Sequence, residues 1–190
     1  ANINRTHEES LNAYREMVEA YPDMECVLDL ATTFGCPFEG IPDLDKVLRF
    51  VERIRSCDVD TVYLADTIGI ADPAQVRRTV KSIIERFPDT KMQVHIHDTR
   101  GMGLVNTLAA IEAGVDTVQS TLGGLGGCPF APGASGNTAT EDLVYMLQRM
   151  GYDTGIDFGR LLALSKEQHA EIDGIYSGHQ MNIAAKSPCC

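Results

Sequence analysis

The sequence predicts an α/β domain built around a parallel sheet, and two observations carry this prediction. Stretches rich in branched apolar residues alternate with stretches whose apolar residues recur at helical spacing. The resulting strand–helix units recur about every 30 to 35 residues, which favours a (β/α) TIM barrel over a doubly wound sheet. Because only about four units are present, the chain corresponds to half of such a barrel.

The elements follow one another in a regular order. Thr6 and Glu9 have the spacing of a capping box, which predicts a helix start beside them. Asp72 followed by Pro73 favours a second helix start, and Gly114 favours a helix end. Apolar stretches predict four strands, at residues 24–32, 59–67, 91–99 and 115–124. Helical spacing predicts helices at residues 7–20, 43–57, 72–87, 101–114, 138–150 and 157–169.

These elements also predict the domain organisation. Residues 1–190 should form a single domain, the C-terminal half of a barrel, with a weakly structured tail over 174–190. A sheet of four parallel strands has two open edges, which are costly to leave uncovered. The chain also begins at Ala1 rather than at a methionine. We therefore expect either a fragment of a longer protein or a half-barrel that a partner closes, and we consider a homodimer.

The composition excludes several classes of partner. The chain has 16 Lys and Arg residues against 27 Asp and Glu residues, a formal net charge of −11. Nucleic acids and acidic membrane surfaces bind basic faces, so neither is an expected partner. An anionic small molecule stays compatible, since it needs only a local positive site such as a metal ion. No apolar run of about 18 residues is present, which predicts no membrane-spanning helix.

The six cysteines are at positions 26, 36, 57, 128, 189 and 190. They lack the CxxC spacing of a zinc site, and the chain is not a small disulfide-rich domain. This usage predicts a reducing compartment, either an organelle matrix or the cytoplasm, and we expect the cytoplasm. The adjacent Cys189 and Cys190 are interpreted as inert exposed thiols, with an intermolecular disulfide or redox control as the alternative.

The clearest chemical motif is "VHIHDT", residues 94–99. Because side chains alternate along a strand, His95 and His97 should share one face. Val94 and Ile96 should point the other way, towards the helices. Two imidazoles at this spacing can chelate one divalent ion at the carboxyl end of a barrel strand, where barrel active sites lie. The alternative is one catalytic histidine without a metal, beside one structural histidine.

Two further polar residues lie near strand ends. Asp66 ends the second predicted strand, where its carboxylate either accepts a proton, orients a water molecule or caps a turn. Asn137 directly precedes a helix, so it is either an N-cap or an amide-oxygen ligand of the same metal ion. Ser135 and Thr138 are alternative caps, and spacing alone leaves these alternatives open.

A glycine-rich loop, "GGLGGCPFAPGASGN", surrounds Cys128 over residues 123–137. Such glycine density allows a left-handed backbone and close approach to a ligand, as in a lid. A cysteine on a closing lid can exchange a proton with a substrate. A nucleophile and a small buried apolar side chain are the alternatives. Because Gly-Cys-Pro-Phe also occurs at residues 35–38, we expect Cys36 to line or support the same site.

These motifs resemble those of one enzyme family. "GLGGCPFAPGASGNTATEDLVYML" is similar to the signature region of the 3-hydroxy-3-methylglutaryl-CoA (HMG-CoA) lyases, and "FGCPFEG" and "LADTIGIADP" also match that family. The resemblance extends over nearly the whole chain but only over the back half of the family's barrel. It implies a metal-dependent enzyme that splits HMG-CoA, or a related 3-hydroxyacyl-CoA thioester, into acetyl-CoA and acetoacetate, a reaction of leucine degradation and ketone-body formation.

The resemblance also implies roles for individual residues. His95, His97 and Asn137 match the family's ligands of a bound Mg²⁺ or Mn²⁺, and His95 also counts as catalytic. Cys128 matches the mobile-loop cysteine that protonates the acetyl-CoA enolate. Asp66 matches an active-site aspartate. An Arg-Asp pair and a glutamate, which the family's first strands supply, have no counterpart in this chain.

Two other functions are compatible with the sequence. A condensing synthase of the isopropylmalate or homocitrate type shares the His-x-His strand, but the glycine-rich loop favours the lyase. A half-barrel that has lost catalysis and persists as a binding or assembly module is the other alternative, because the Arg-Asp pair is missing.

Overall fold

The computed structural model describes residues 5–130 and 136–183. Within these ranges, four parallel strands form one sheet in the order β1-β2-β3-β4. The strands are β1 (Val27–Leu30), β2 (Thr61–Asp66), β3 (Lys91–Ile96) and β4 (Thr117–Gln119). The helices are α1 (His7–Ala20), α2 (Leu44–Arg55), α3 (Pro73–Arg86), α4 (Gly103–Ala113), α5 (Thr140–Arg149) and α6 (Phe158–Glu171). The predicted parallel α/β architecture is confirmed.

Local sequence signals determine several helix ends. At α1, the Thr6 side chain accepts a hydrogen bond from the backbone of Glu9, whose carboxylate accepts one from the backbone of Thr6. At α3, the Asp72 side chain accepts hydrogen bonds from two backbone N–H groups of the first turn. Gly114 ends α4 in a left-handed conformation, with φ of 105°. All three predicted ends are confirmed.

The outer face of the sheet packs against the helices. Its side chains and those of the facing helices are apolar and almost fully buried, including Val51, Val62, Leu64, Val76, Val80, Ile83, Val94 and Ile96. Burying each such side chain stabilises the fold by about 1.5–3 kcal/mol. This packed layer of strands and helices gives the inner face of the sheet a rigid support.

The inner face of the sheet carries polar side chains that bond across strands. The Tyr63 hydroxyl donates to Oε1 of Gln119 at 2.6 Å, and Nε2 of Gln119 donates to Oε1 of Gln93 at 2.8 Å. These bonds connect β2, β4 and β3. His95 is the next inner-face residue of β3 after Gln93, and its ring centroid lies 6.0 Å from that of Tyr63. The polar network thus leads directly to the predicted metal ligands.

All four strands are shorter than predicted; β4, expected over residues 115–124, spans only Thr117–Gln119 and is followed by a 3₁₀ turn at Leu122–Gly124. Two of the shortened elements, β3 and α5, differ from the prediction for the same reason. β3 was expected to continue to residue 99 but ends at Ile96, because His97 forms an antiparallel bridge with Asn137. α5 was expected to begin at residue 138 but begins at Thr140, because Ala139 is extended and forms a parallel bridge with Thr121. Residues 137–139 therefore act as a short extended segment beside the sheet. This pairing depends on contacts distant in sequence.

The segment after α6 is anchored, although a weakly structured tail is predicted from residue 174. Up to residue 183, its regular structure is one 3₁₀ turn, Gln180–Asn182. The Ile175 carbonyl accepts a hydrogen bond from Gly126 at 3.2 Å, and the Gly178 N–H donates to Gly123 at 3.0 Å. Residues 174–183 thereby hold the start of the glycine-rich loop. Residues 184–190, with Cys189 and Cys190, lie outside the described residues.

Candidate active site

The two histidines of the predicted motif lie together at the carboxyl end of β3. Their ring centroids are 4.9 Å apart, with an interplanar angle of 70°. Both Nδ1 atoms are buried, and neither has a hydrogen-bond partner among the residues that the structure describes. Val94 and Ile96 are buried on the opposite face, as expected from strand alternation. Two imidazole nitrogens without partners, side by side, are an arrangement that a metal ion would satisfy.

Burial keeps both histidines neutral. It lowers the pKa of His95 to about 4, with a further decrease from His97 and an opposing effect of the adjacent Asn137 side chain. Burial also lowers the pKa of His97, opposed by the Asp66 carboxylate and by the Thr67 carbonyl nearby. Neutral imidazoles retain the lone pairs that bind metal ions, so both rings are in the ligand form at pH 7.

The lowered pKa of His95 predicts a loss of stability in acid. The unfolded chain protonates this histidine near pH 6.5, whereas the folded chain holds it neutral down to about 4, so falling pH favours unfolding over that interval. We expect His95 to contribute about 1–2 kcal/mol to the difference in the free energy of unfolding between pH 7 and pH 5.

Urea denaturation of the wild-type protein and His95→Asn at both pH values measures this contribution. Asparagine does not titrate, so the comparison removes the effect of the carboxylates common to both proteins. An equal pH dependence in the two proteins would show that His95 is not held neutral by the fold.

Asn137 is placed beside the histidines by the extended segment 137–139. It bridges His97, and the buried Thr138 hydroxyl donates to the Ile96 carbonyl at 2.9 Å. The Asn137 amide nitrogen donates to the Leu125 carbonyl at 2.9 Å, so its amide oxygen is the atom that could serve as the predicted metal ligand. Asn137 is not the N-cap of α5, a position that Ala139 occupies without a side-chain hydrogen bond.

The donor set fits part of a divalent-metal site. Imidazole nitrogens and an amide oxygen are suitable ligands for such an ion. Among residues 5–130 and 136–183, however, no group of three or more His, Cys, Asp or Glu side chains is arranged so that it could hold a metal ion. His95, His97 and Asn137 can therefore supply part of a coordination shell, to be completed by substrate, by water or by another segment.

Asp66 occupies a buried position at the end of β2. Its side chain shares the outer face with Val62 and Leu64, and both carboxylate oxygens accept backbone hydrogen bonds at 3.1 Å, one from Ile70 and one from Ala71. Burial raises the pKa of Asp66, while these bonds and His97 oppose the increase. The carboxylate thus caps the turn after β2, which is one of the three roles predicted from the sequence.

Cys128 is brought to the same end of the sheet. Its side chain is only 6% exposed, and its thiol donates to the Thr67 carbonyl at 3.0 Å. Since that carbonyl also lies near His97, the cysteine and the histidine pair flank one backbone group. Cys36 lies in the loop after β1, where its sulfur accepts a weak hydrogen bond from the Phe38 backbone at 3.5 Å.

Glu141, which no sequence motif singled out, connects the site to the helices. It is fully buried on α5, where Oε2 accepts from the Gly123 backbone at 2.9 Å and Oε1 accepts from the Ser165 hydroxyl at 2.8 Å. Acidic residues are common in the first turn of a helix, so the sequence alone did not distinguish Glu141 from an ordinary surface residue. The available signal was its spacing: residues three apart share a helix face, so Glu141 lies on the same face as the buried Val144.

Replacement of Glu141 by alanine should lower the free energy of unfolding by about 2–3 kcal/mol. The substitution leaves the Gly123 N–H and the Ser165 hydroxyl buried without an acceptor. Urea denaturation measures the effect, with Glu85→Ala on the exposed face of α3 as the control, expected within about 0.5 kcal/mol of wild type. Equal stability of the two variants would contradict a bridging role.

Comparison with known proteins identifies the family of this chain. The profile of the HMGL-like family matches residues 1–167. The chain belongs to the HMGL-like family. This HMGL-like chain is 39% identical over 167 residues to hydroxymethylglutaryl-CoA lyase YngG of Bacillus subtilis, an alignment that covers 87% of this chain and 56% of the relative. It is 40% identical over 169 residues to the mitochondrial hydroxymethylglutaryl-CoA lyase of Bos taurus, with 85% and 50% covered.

Solved structures agree with this membership. An HMG-CoA lyase from Acinetobacter baumannii, in complex with coenzyme A and 3-methylmalate, superposes with a TM-score of 0.89 at 39% identity. The match covers 98% of the HMGL-like chain and 62% of that structure. The chain therefore spans between half and two thirds of the length of these three relatives. The predicted family and the TIM-barrel type of fold are confirmed.

Two predictions concern a membrane-spanning helix and the cellular location of this HMGL-like chain. None of the helices in the described ranges has both the length and the apolarity needed to cross a membrane. The bovine relative bears a mitochondrial name, so the cytoplasmic location of this chain stays a prediction.

Proposed function

We propose that this chain forms the metal-binding and lid-bearing part of a carbon–carbon lyase. The reaction is cleavage of HMG-CoA, or of a related 3-hydroxyacyl-CoA, to acetyl-CoA and acetoacetate. The observation that carries the proposal is the pair of buried imidazoles at the end of β3, with Nδ1 atoms that lack partners within the described residues. The names of the relatives support the same reaction, and the coenzyme A in the Acinetobacter structure supports a thioester substrate.

Three side chains would hold the ion. His95, His97 and Asn137 are proposed as ligands of Mg²⁺ or Mn²⁺, which when bound would acidify the 3-hydroxyl group of the substrate and orient the bond to be cleaved. The low pKa of His95, about 4, means that protons do not compete for this ligand near neutral pH. Asp66 is proposed to act indirectly, because its capped turn fixes the Thr67 carbonyl between the histidines and Cys128.

Cys128 is proposed as the acid that completes the reaction. The 3-hydroxyl proton passes to water as the carbon–carbon bond breaks, which releases acetoacetate and leaves the enolate of acetyl-CoA. The thiol S–H bond then breaks as a C–H bond forms at the enolate carbon, and solvent later reprotonates the thiolate. The hydrogen bond to the Thr67 carbonyl holds the thiol in one orientation, and burial of the side chain limits access of water.

The decisive experiment compares this chain with a longer protein that also includes any residues encoded upstream of Ala1. Each is incubated with HMG-CoA and Mn²⁺, and acetoacetate is quantified, with EDTA-treated samples as controls. We expect acetoacetate from the longer protein and its loss with EDTA. Release of free coenzyme A from acetyl-CoA and a 2-oxo acid, without HMG-CoA cleavage, would instead identify a condensing synthase. Absence of both reactions would indicate a non-catalytic module and contradict the proposal.

A further inference from the structure

We propose that Phe38 is a positioning residue that clamps the Cys128 loop through Phe130. The two copies of Gly-Cys-Pro-Phe each end in a phenylalanine, and these two rings contact each other. Their centroids are 5.9 Å apart and their planes meet at 83°, the edge-to-face geometry that aromatic pairs favour. The effect of the clamp on turnover rests on the proposed function. The ring contact itself does not depend on that function.

Phe38 sits at the tip of a rigid turn. Cys36 and Gly40 exchange two backbone hydrogen bonds of 2.8 and 3.0 Å, which close the turn that presents the ring. The base of the loop is fixed in the core, because Phe34 is fully buried and its carbonyl accepts a buried hydrogen bond from Gln75 at 2.8 Å. The turn is therefore a fixed support for whatever packs against its tip.

The exposure of Phe38 is hard to explain by core packing. The residue is 69% exposed, so it contributes little to the hydrophobic core and would be a liability without a partner. Its aromatic contact is with Phe130, which is half-buried on the opposite loop. Contact with Phe130, rather than core packing, therefore accounts for a phenylalanine at this exposed position.

The Cys128 loop needs such a contact. Before the cysteine, the loop is tied down by the hydrogen bond from Gly126 to Ile175 at 3.2 Å. At the cysteine, the tie is a thiol hydrogen bond to Thr67, and thiols are weak donors. Phe130 lies two residues further on, so the ring pair secures the far side of the cysteine. The pair should therefore help to keep the thiol buried.

Loosening the pair should expose Cys128. We expect Phe38→Ala to raise the rate at which iodoacetamide alkylates this cysteine by about twofold to tenfold, the range that one aromatic pair contributes to closing the loop. Phe130→Ala should have the same effect, and the double variant should add nothing beyond the larger single effect. Phe38→Tyr preserves the ring and should retain the wild-type rate.

The alkylation is followed peptide by peptide by mass spectrometry on this chain. Ile41→Ala is the matched control, because Ile41 is an equally exposed apolar residue, at 66%, near the same turn. The buried Cys26 and Cys57 report global unfolding and should keep their rates in every variant. An unchanged Cys128 rate in Phe38→Ala, or an equal rise in Ile41→Ala, would overturn the clamp.

This readout is independent of the proposed lyase activity. If the longer protein shows no lyase activity while Phe38→Ala still exposes Cys128, the clamp stands and the proposed function fails. If the longer protein is active, Phe38→Ala should lower kcat while leaving KM and Mn²⁺ affinity within about twofold of wild type, because the clamp positions the acid rather than the substrate. A purely structural defect would instead change all three.

Discussion

Replacing His97 with alanine should weaken Mn²⁺ binding by about 100-fold or more. Changes to residues that merely orient metal ligands already cost about 10- to 100-fold in affinity, so loss of a ligand should cost at least as much. The two imidazoles lie 4.9 Å apart with buried Nδ1 atoms, and removing either one leaves a single histidine beside Asn137. Isothermal titration calorimetry of this chain with Mn²⁺ measures the change, and His95→Ala should behave alike.

The control for this experiment is His7→Ala. His7 is exposed on α1 and packs against Phe50, far along the chain from the strand ends, so its loss should leave Mn²⁺ affinity unchanged. Far-ultraviolet circular dichroism should confirm that both variants are folded. Retained affinity in His97→Ala would refute its role as a ligand, and with it the partial metal site at β3.

Replacing Cys128 with serine should lower turnover of the longer protein by about 100- to 10,000-fold, the range that a positioned acid contributes. Serine is nearly isosteric and can keep the hydrogen bond to Thr67, but its hydroxyl is a far weaker acid than a thiol, whose ordinary pKa is about 8.5. Mn²⁺ affinity should be unaffected, because Cys128 is not among the proposed ligands. Steady-state kinetics with HMG-CoA and calorimetry with Mn²⁺ test the two statements separately.

Cys36→Ser provides the matched comparison. This cysteine occupies the corresponding place in the first Gly-Cys-Pro-Phe copy, and its sulfur contacts only the Phe38 backbone within the described hydrogen bonds. We expect turnover within about threefold of wild type, since no proton transfer is assigned to it. If Cys36→Ser and Cys128→Ser reduce turnover equally, the assignment of the acid to the second copy is wrong.

Features that depend on a few neighbouring residues were predictable from the sequence. The shared face of His95 and His97 follows from strand alternation, and the ends of α1, α3 and α4 follow from local capping chemistry. The alternation of strands and helices likewise predicted the parallel sheet, because consecutive parallel strands require crossovers.

Features that depend on distant segments were not predictable in the same way. Whether Asn137 caps α5 or faces the histidines is decided by its bridge to His97, a contact across 40 residues that no local spacing reports. The end of β3 moves for the same reason. Glu141 joins two segments whose proximity appears only in the folded chain. Local patterns identified the candidate site residues, and tertiary contacts determined which of their alternative positions is realised.

The polar network of Tyr63, Gln119 and Gln93 also affects how this protein can be engineered. It makes the inner face of the sheet polar, because these side chains bond to one another and keep further donors and acceptors that water can satisfy. A fragment-complementation pair divided at the boundary of this chain would expose a surface that water tolerates rather than one that aggregates.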